Sequence, residues 1–165
     1  MGTAPDWNTG EGLIRLDDPA EVDAAFERGE RHLGTAVIGL AFNCSLEEAS
    51  PRILRAMRLP DIAQRGFAFT AAGVAARLNG ALTPQLYDAL RAEGLTGGVA
   101  EDAIRDTLTF VPFRELPWWF RGCRVWLGVR DRGEGWLLRM KDAVGDSARH
   151  AAAAWRRRSS RQSRQ

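Results

Sequence analysis

No run of apolar residues in this chain reaches the roughly 18 that a helix needs to cross a bilayer. Cysteine is scarce: Cys44 and Cys123 stand alone, far apart, with no CxxC or Cys/His spacing, so neither a disulfide framework nor a zinc site is indicated. The only histidines, His32 and His150, lie at opposite ends and do not suggest a shared metal site. There is no GxSxG, no GxxxxGK[ST] and no HExxH, the arrangements that seat a nucleophile, a phosphate or a catalytic zinc. The chain therefore reads as non-enzymatic, with no metal or cofactor. The opening Met1-Gly2-Thr3-Ala4-Pro5-Asp6 lacks the basic-then-apolar order of a secretory signal, and a cytoplasmic location is expected.

What the chain does have is an internal echo. Leu40-Ala41-Phe42-Asn43-Cys44-Ser45-Leu46, followed by Pro51 and Ile53-Leu54-Arg55-Ala56-Met57, is matched by Ala76-Arg77-Leu78-Asn79-Gly80-Ala81-Leu82, Pro84 and Leu86-Tyr87-Asp88-Ala89-Leu90. The offset drifts from about 36 to about 33, within the range of helical-pair repeats. At 165 residues and 45% apolar, the chain can bury one real core. The expected fold is all-α: a short alpha-solenoid of antiparallel helix pairs with a C-terminal helix, an irregular helical bundle being the alternative.

Local signals divide the chain. Residues 1–18 read as an irregular arm, rich in Gly, Asn, Asp and Pro. Residues 19–112 form the repeat domain. Asp18-Pro19 opens an entry helix expected to end near Gly34, and Ser50-Pro51 supplies a cap and first-turn proline for an outer helix. Asp61 caps a helix to Asn79 that Gly80 closes; Thr83-Pro84 starts the next, which Gly94 ends; Val99 to Val111 form another. In the Asp61 helix the large residues Phe67 and Leu78 are expected to be buried. Residues 113–135 interleave aromatics with arginines and fit a short extended segment as well as a helix. Residues 136–158 carry an apolar stripe from Leu137 to Trp155 at helical spacing, and 159–165 form a disordered basic tail.

The block Asp61 to Ala68, then Gly73-Val74-Ala75-Ala76-Arg77-Leu78-Asn79-Gly80, then Gly98 to Asp106, resembles bacterial HEAT-like repeat proteins of the actinobacterial type. The resemblance covers about 80 residues of the middle of the chain. It implies a curved stack of antiparallel helix pairs and a protein-binding role, some relatives looking like immunity or accessory proteins; it carries over no catalytic residue.

Two groups are candidates for contact with a partner. Glu101, Asp102 and Asp106 gather carboxylates at the start of a helix, where they can grip a basic partner or simply favour the helix dipole and bond Arg77 or Arg105. Trp118, Trp119 and Arg121 can cover a protein surface, or stack bases while arginine meets phosphate; alternatively Trp118 and Phe120 close the open end of the repeat stack. The leading reading is a scaffold that binds a protein partner. The alternative is a nucleic-acid-binding protein using the Trp/Arg-rich C-terminal third. The terminal arginines, with no acid after Asp146, are expected to give at most weak binding to nucleic acid or other anionic surfaces. Cys123, between Arg121 and Arg124, is a candidate for a lowered thiol pKa.

Overall fold

The computed structural model describes residues 5–96 and 98–129. Regular structure among them is helical throughout, without a strand, and no helix there is long and apolar enough to cross a membrane. The chain divides into two units, Met1–Cys123 and Arg124–Gln165. Of the second, residues 124–129 are described and are helical, where Val125 to Val129 fitted an extended segment equally well. The C-terminal helix and basic tail expected over 136–165 lie outside the described residues.

The first unit holds a 3-10 turn, Leu13–Arg15, and the helices α1 (Pro19–Arg28), α2 (Leu33–Asn43), α3 (Leu46–Ala56), α4 (Ile62–Asn79), α5 (Pro84–Glu93) and α6 (Glu101–Phe110). Residues 118–123 are also helical. Helix α1 begins where expected: the Asp18 carboxylate accepts from the Ala20 N–H at 2.9 Å and Pro19 takes the first position. It ends at Gly29, whose φ of 69° closes the helix in the left-handed conformation, and not near Gly34. Gly34 lies inside α2, where a Cβ would overlap the Gln64 carbonyl of α4. Close helix approach, not termination, is what requires glycine there.

Helix α3 also starts earlier than the Ser50-Pro51 pair suggested. Ser45 caps it: its hydroxyl accepts from the Glu48 N–H at 3.3 Å, and the Glu48 carboxylate accepts from the Ser45 N–H at 3.1 Å. Pro51 is thus interior, on an exposed face, and removes one backbone bond. Neighbouring carbonyls take side-chain donors: Ser50 Oγ donates to Leu46 O at 2.6 Å, and Arg52 Nη1 to Glu48 O at 2.9 Å.

Contacts along the helices fix their directions. Asp23 and Glu27 of α1 pair with Arg52 and Arg55 of α3, so the two run the same way. Gly34 meets Gln64 in the first turns of α2 and α4, which pack extensively, so these also run together. Gly73 of α4 lies against Ala103 of α6, and Arg77, one turn on, reaches Asp106 and the Phe110 ring. Helices α2, α4 and α6 therefore form one parallel layer with α4 in the middle. Helix α3 packs on α1 and α5, and on α2 and α4 beneath it. The Leu13–Arg15 turn covers the flank of α2 away from α4: Leu13 is fully buried, a Cβ on Gly39 would overlap the Leu13 carbonyl, and Asn43 Nδ2 donates to the carbonyls of Ile14 and Leu16.

The core follows from this layering. Ala68, Ala71, Ala72, Ala75 and Ala76 of α4 are buried because the helix is squeezed between α2 and α6, where only small side chains fit. Phe69 is the large residue that α4 buries. Phe67 and Leu78 were expected in the core and are instead 42% and 54% exposed. Eleven residues apart, they share one stripe of α4, on the side that neither neighbour covers.

Candidate partner-binding surfaces

The uncovered side of the α2–α4–α6 layer is unusually apolar. Phe42 on α2, Phe67 and Leu78 on α4 and Phe110 on α6 are each more than two-fifths exposed. Thr35, Thr70 and Thr109 lie on the same helices, and the Arg77 guanidinium, paired with Asp106, sits 4.9 Å from the Phe110 ring centre. Scattered exposed apolar residues are ordinary, whereas a set gathered on one face of one layer is a candidate contact surface.

The six residues singled out by sequence fall into four situations. Glu101 and Asp106 are engaged within the protein: Glu101 pairs with Arg105 at 3.0 Å, and Asp106 with Arg77 at 3.1 Å, tying α6 to α4. Asp102 is exposed in the first turn of α6, where its charge complements the dipole. Arg121 donates to the carbonyls of Leu116 at 2.7 Å and Arg114 at 2.5 Å, holding the turn before it. Trp118 faces outward, being 72% exposed, whereas Trp119 is half-buried.

These two tryptophans share a cavity of about 350 Å³ with Pro84, Tyr87 and Arg91 of α5 and with Phe120. Phe120 is buried and meets Tyr87 and Trp119 edge-to-face, at centroid distances of 5.2 and 4.8 Å. Of the expected pair of covering aromatics, then, Phe120 is buried against α5, whereas Trp118 borders α5 and stays largely exposed. The Arg91 guanidinium lies 5.3 Å from the Trp118 ring centre. The acids of α6 do not line this cavity.

A larger hollow, about 730 Å³, opens between the α1–α2 and α3–α4 connections. Phe26, Leu33, Leu59 and Pro60 give it an apolar floor, and Arg31, Arg55 and Arg58 line its rim with Glu30 and Asp61. Glu30 is held by Arg28 at 3.0 Å, and the Asp61 carboxylate accepts from the Gln64 N–H at 2.9 Å. Arg55 pairs with Glu27 and stacks 4.4 Å from the Phe26 ring centre. Arg31 and Arg58 are exposed and have no partner among the described residues. Sequence reading passed over both arginines. Their signal was positional: each lies in a connection leading into a helix of the α2–α4–α6 layer, so the fold sets the two connections side by side.

Neither thiol is activated. Burial pushes Cys123 up, and Arg121, expected to lower it, is occupied by carbonyls. Burial and the nearby Glu48 and Asp17 push Cys44 up as well, while its Sγ contacts the Asp17 carbonyl at 3.3 Å. No group of acidic, histidine or cysteine side chains able to hold a metal ion occurs among the described residues. No known family matches the chain, and no curated protein or solved structure matches it significantly.

Proposed function

We propose that this chain is a non-enzymatic, HEAT-like helical scaffold that holds a protein partner on the open face of its α2–α4–α6 layer, in the manner of an immunity or accessory factor. The observation that carries the reading is the set Phe42, Phe67, Leu78 and Phe110, exposed together on one side of a parallel layer. Alternation supports the solenoid form: successive helices fall into α1–α3–α5 and α2–α4–α6 sets, with α1 and α3 parallel in the first and all three helices parallel in the second. The echo of α2–α3 in α4–α5 supports it too. Asn43 and Asn79, last residues of α2 and α4, both donate to the carbonyl four residues back at 2.9 Å. The repeats are unequal, because α4 is 7 residues longer than α2 (18 against 11) and overshoots it by about 10 Å at the standard helical rise.

The test is capture from the native host with the wild-type chain and the Phe67→Ser/Leu78→Ser double variant. A protein retained by the wild type in physiological salt and lost by the folded variant supports the reading. Retention of nucleic acid, falling steeply with salt and indifferent to the two substitutions, would put the function in the Trp/Arg-rich region instead.

A further inference from the structure

Building on the reading of this chain as a protein-binding scaffold, we propose that the hollow between the α1–α2 and α3–α4 connections binds an acidic peptide segment carrying an apolar side chain. Charge sets the first requirement. The acids at the rim are already committed, Glu30 to Arg28 and Asp61 to the backbone of α4, whereas the guanidinium groups of Arg31 and Arg58 are accessible and have no partner among the described residues. A guanidinium presents a planar fork that matches a carboxylate with two parallel hydrogen bonds. Two such forks facing one hollow select a ligand with carboxylates spaced to meet both.

The floor sets the second requirement. Phe26, Leu33, Leu59 and Pro60 offer apolar surface that a small inorganic anion would leave wet, and about 730 Å³ exceeds what such an anion fills. An aliphatic side chain between the carboxylates would cover that floor. A nucleotide fits less well for two reasons. Of the two aromatic rings in the lining, Phe26 already has Arg55 over its face, and the His32 imidazole is held against the N-terminal arm, 3.2 Å from the Asn8 carbonyl and packed on Gly10, so neither is free for a base to stack on. A strand with a charge on every nucleotide would also have to pass Glu30 and Asp61, whereas a peptide places its charges only opposite the arginines.

The experiment is calorimetric titration of the full chain with a blocked pentapeptide, Glu-Leu-Glu-Glu-Leu, at low and physiological salt. Its controls are the glutamine-for-glutamate and serine-for-leucine versions, sodium pyrophosphate and a short oligothymidylate. Saturable binding is expected, weakened about tenfold or more in Arg31→Gln/Arg58→Gln and unchanged in the charge-matched Arg15→Gln/Arg114→Gln. Circular dichroism and the thermal midpoint of each variant establish that it is folded. The proposal is overturned if the acidic peptide does not bind, if either peptide control binds as well, if the rim variant binds like wild type, or if pyrophosphate or the oligonucleotide binds more tightly. Failure here, with partner capture still dependent on Phe67 and Leu78, removes the hollow and leaves the scaffold reading standing. Loss of that dependence, with the peptide still bound, does the reverse.

Discussion

At the scale of single residues, the glycines of α2 and α4 separate geometry from propensity. Gly34 and Gly39 are helical, and a Cβ at either would overlap a backbone carbonyl of the element packed against it, Gln64 O or Leu13 O. Gly66 is equally helical, yet a Cβ there meets nothing within 4 Å. Gly66→Ala should therefore stabilise the protein by about 0.5–1 kcal/mol through helix propensity, while Gly39→Ala should destabilise it by more than that, both read from urea unfolding. The same contrast holds for the phenylalanines. Phe69 is 2% exposed, so Phe69→Ala should cost about 3–5 kcal/mol; Phe67, at 42%, should give Phe67→Ser a cost below about 1 kcal/mol. Equal losses at both would mean that the stripe is covered. This reversal of the expected burial shows where sequence ran out. Helix α4 is apolar almost all round, so no polar face marked its outside, and residue size was taken as the guide to burial. In a helix pressed between two others size is a poor guide: the alanines are buried because the neighbours come close, and of the large residues Phe69 is buried while Ile62, Phe67 and Leu78 are left outside.

At the scale of elements, helix ends were the most legible features because their signals are local. Asp18-Pro19, Asp61, Gly80, Thr83-Pro84 and Gly94 lie at the boundaries assigned to them, each next to the backbone that it caps or turns. The miss at α3 came from two overlapping signals: Ser50-Pro51 resembles a start, but Ser45 and Glu48 form a complete reciprocal box a turn earlier. Removing the serine hydroxyl in Ser45→Ala should cost about 1 kcal/mol. The partner carboxylate makes that cap sensitive to acid. Hydrogen bonds from the Ser45 hydroxyl and backbone hold Glu48 below its ordinary value of 4.5, so it binds protons less readily folded than unfolded. Its contribution is complete above that ordinary value and is lost as the pH falls through it toward the lower folded value. Asp6, lowered by the Asn8 N–H and the Thr9 hydroxyl, acts in the same direction. Between about pH 5 and pH 3 the wild type should lose stability more steeply than Glu48→Gln, as measured by denaturant midpoints across the series. Parallel slopes would mean that Glu48 binds protons equally readily folded and unfolded, so that its charge does not support the cap.

At the scale of the whole first unit, the arrangement is a layer with two different ends. Helix α4 has a neighbour on each side, α6 has α4, and the outer flank of α2 is covered, among the described residues, by a 3-10 turn and the extended residue Leu16. Sequence left this arm as irregular, whereas it holds the 3-10 turn Leu13–Arg15, and no pattern signalled that Leu13 is fully buried or that Asn43 would bind its carbonyls. Those are long-range pairings, about 30 residues apart in the chain, that no local pattern encodes. The arm thus serves α2 as another helix would, closing an apolar flank that the end of a stack would otherwise expose. This arrangement has a consequence for how the unit comes apart. In a stack where each element leans chiefly on its neighbours, a lesion at one end loosens that end first; in a single cooperative core it is felt everywhere. Leu13→Ala, with an expected cost of about 2–5 kcal/mol, is placed to distinguish them. Amide hydrogen exchange should speed up most in α2, less in α4 and least in α6, because Leu13 acts on α6 only through two intervening helices. A uniform loss of protection from α2 to α6 would instead establish one indivisible core, and would remove the physical basis for reading the unit as a repeat scaffold.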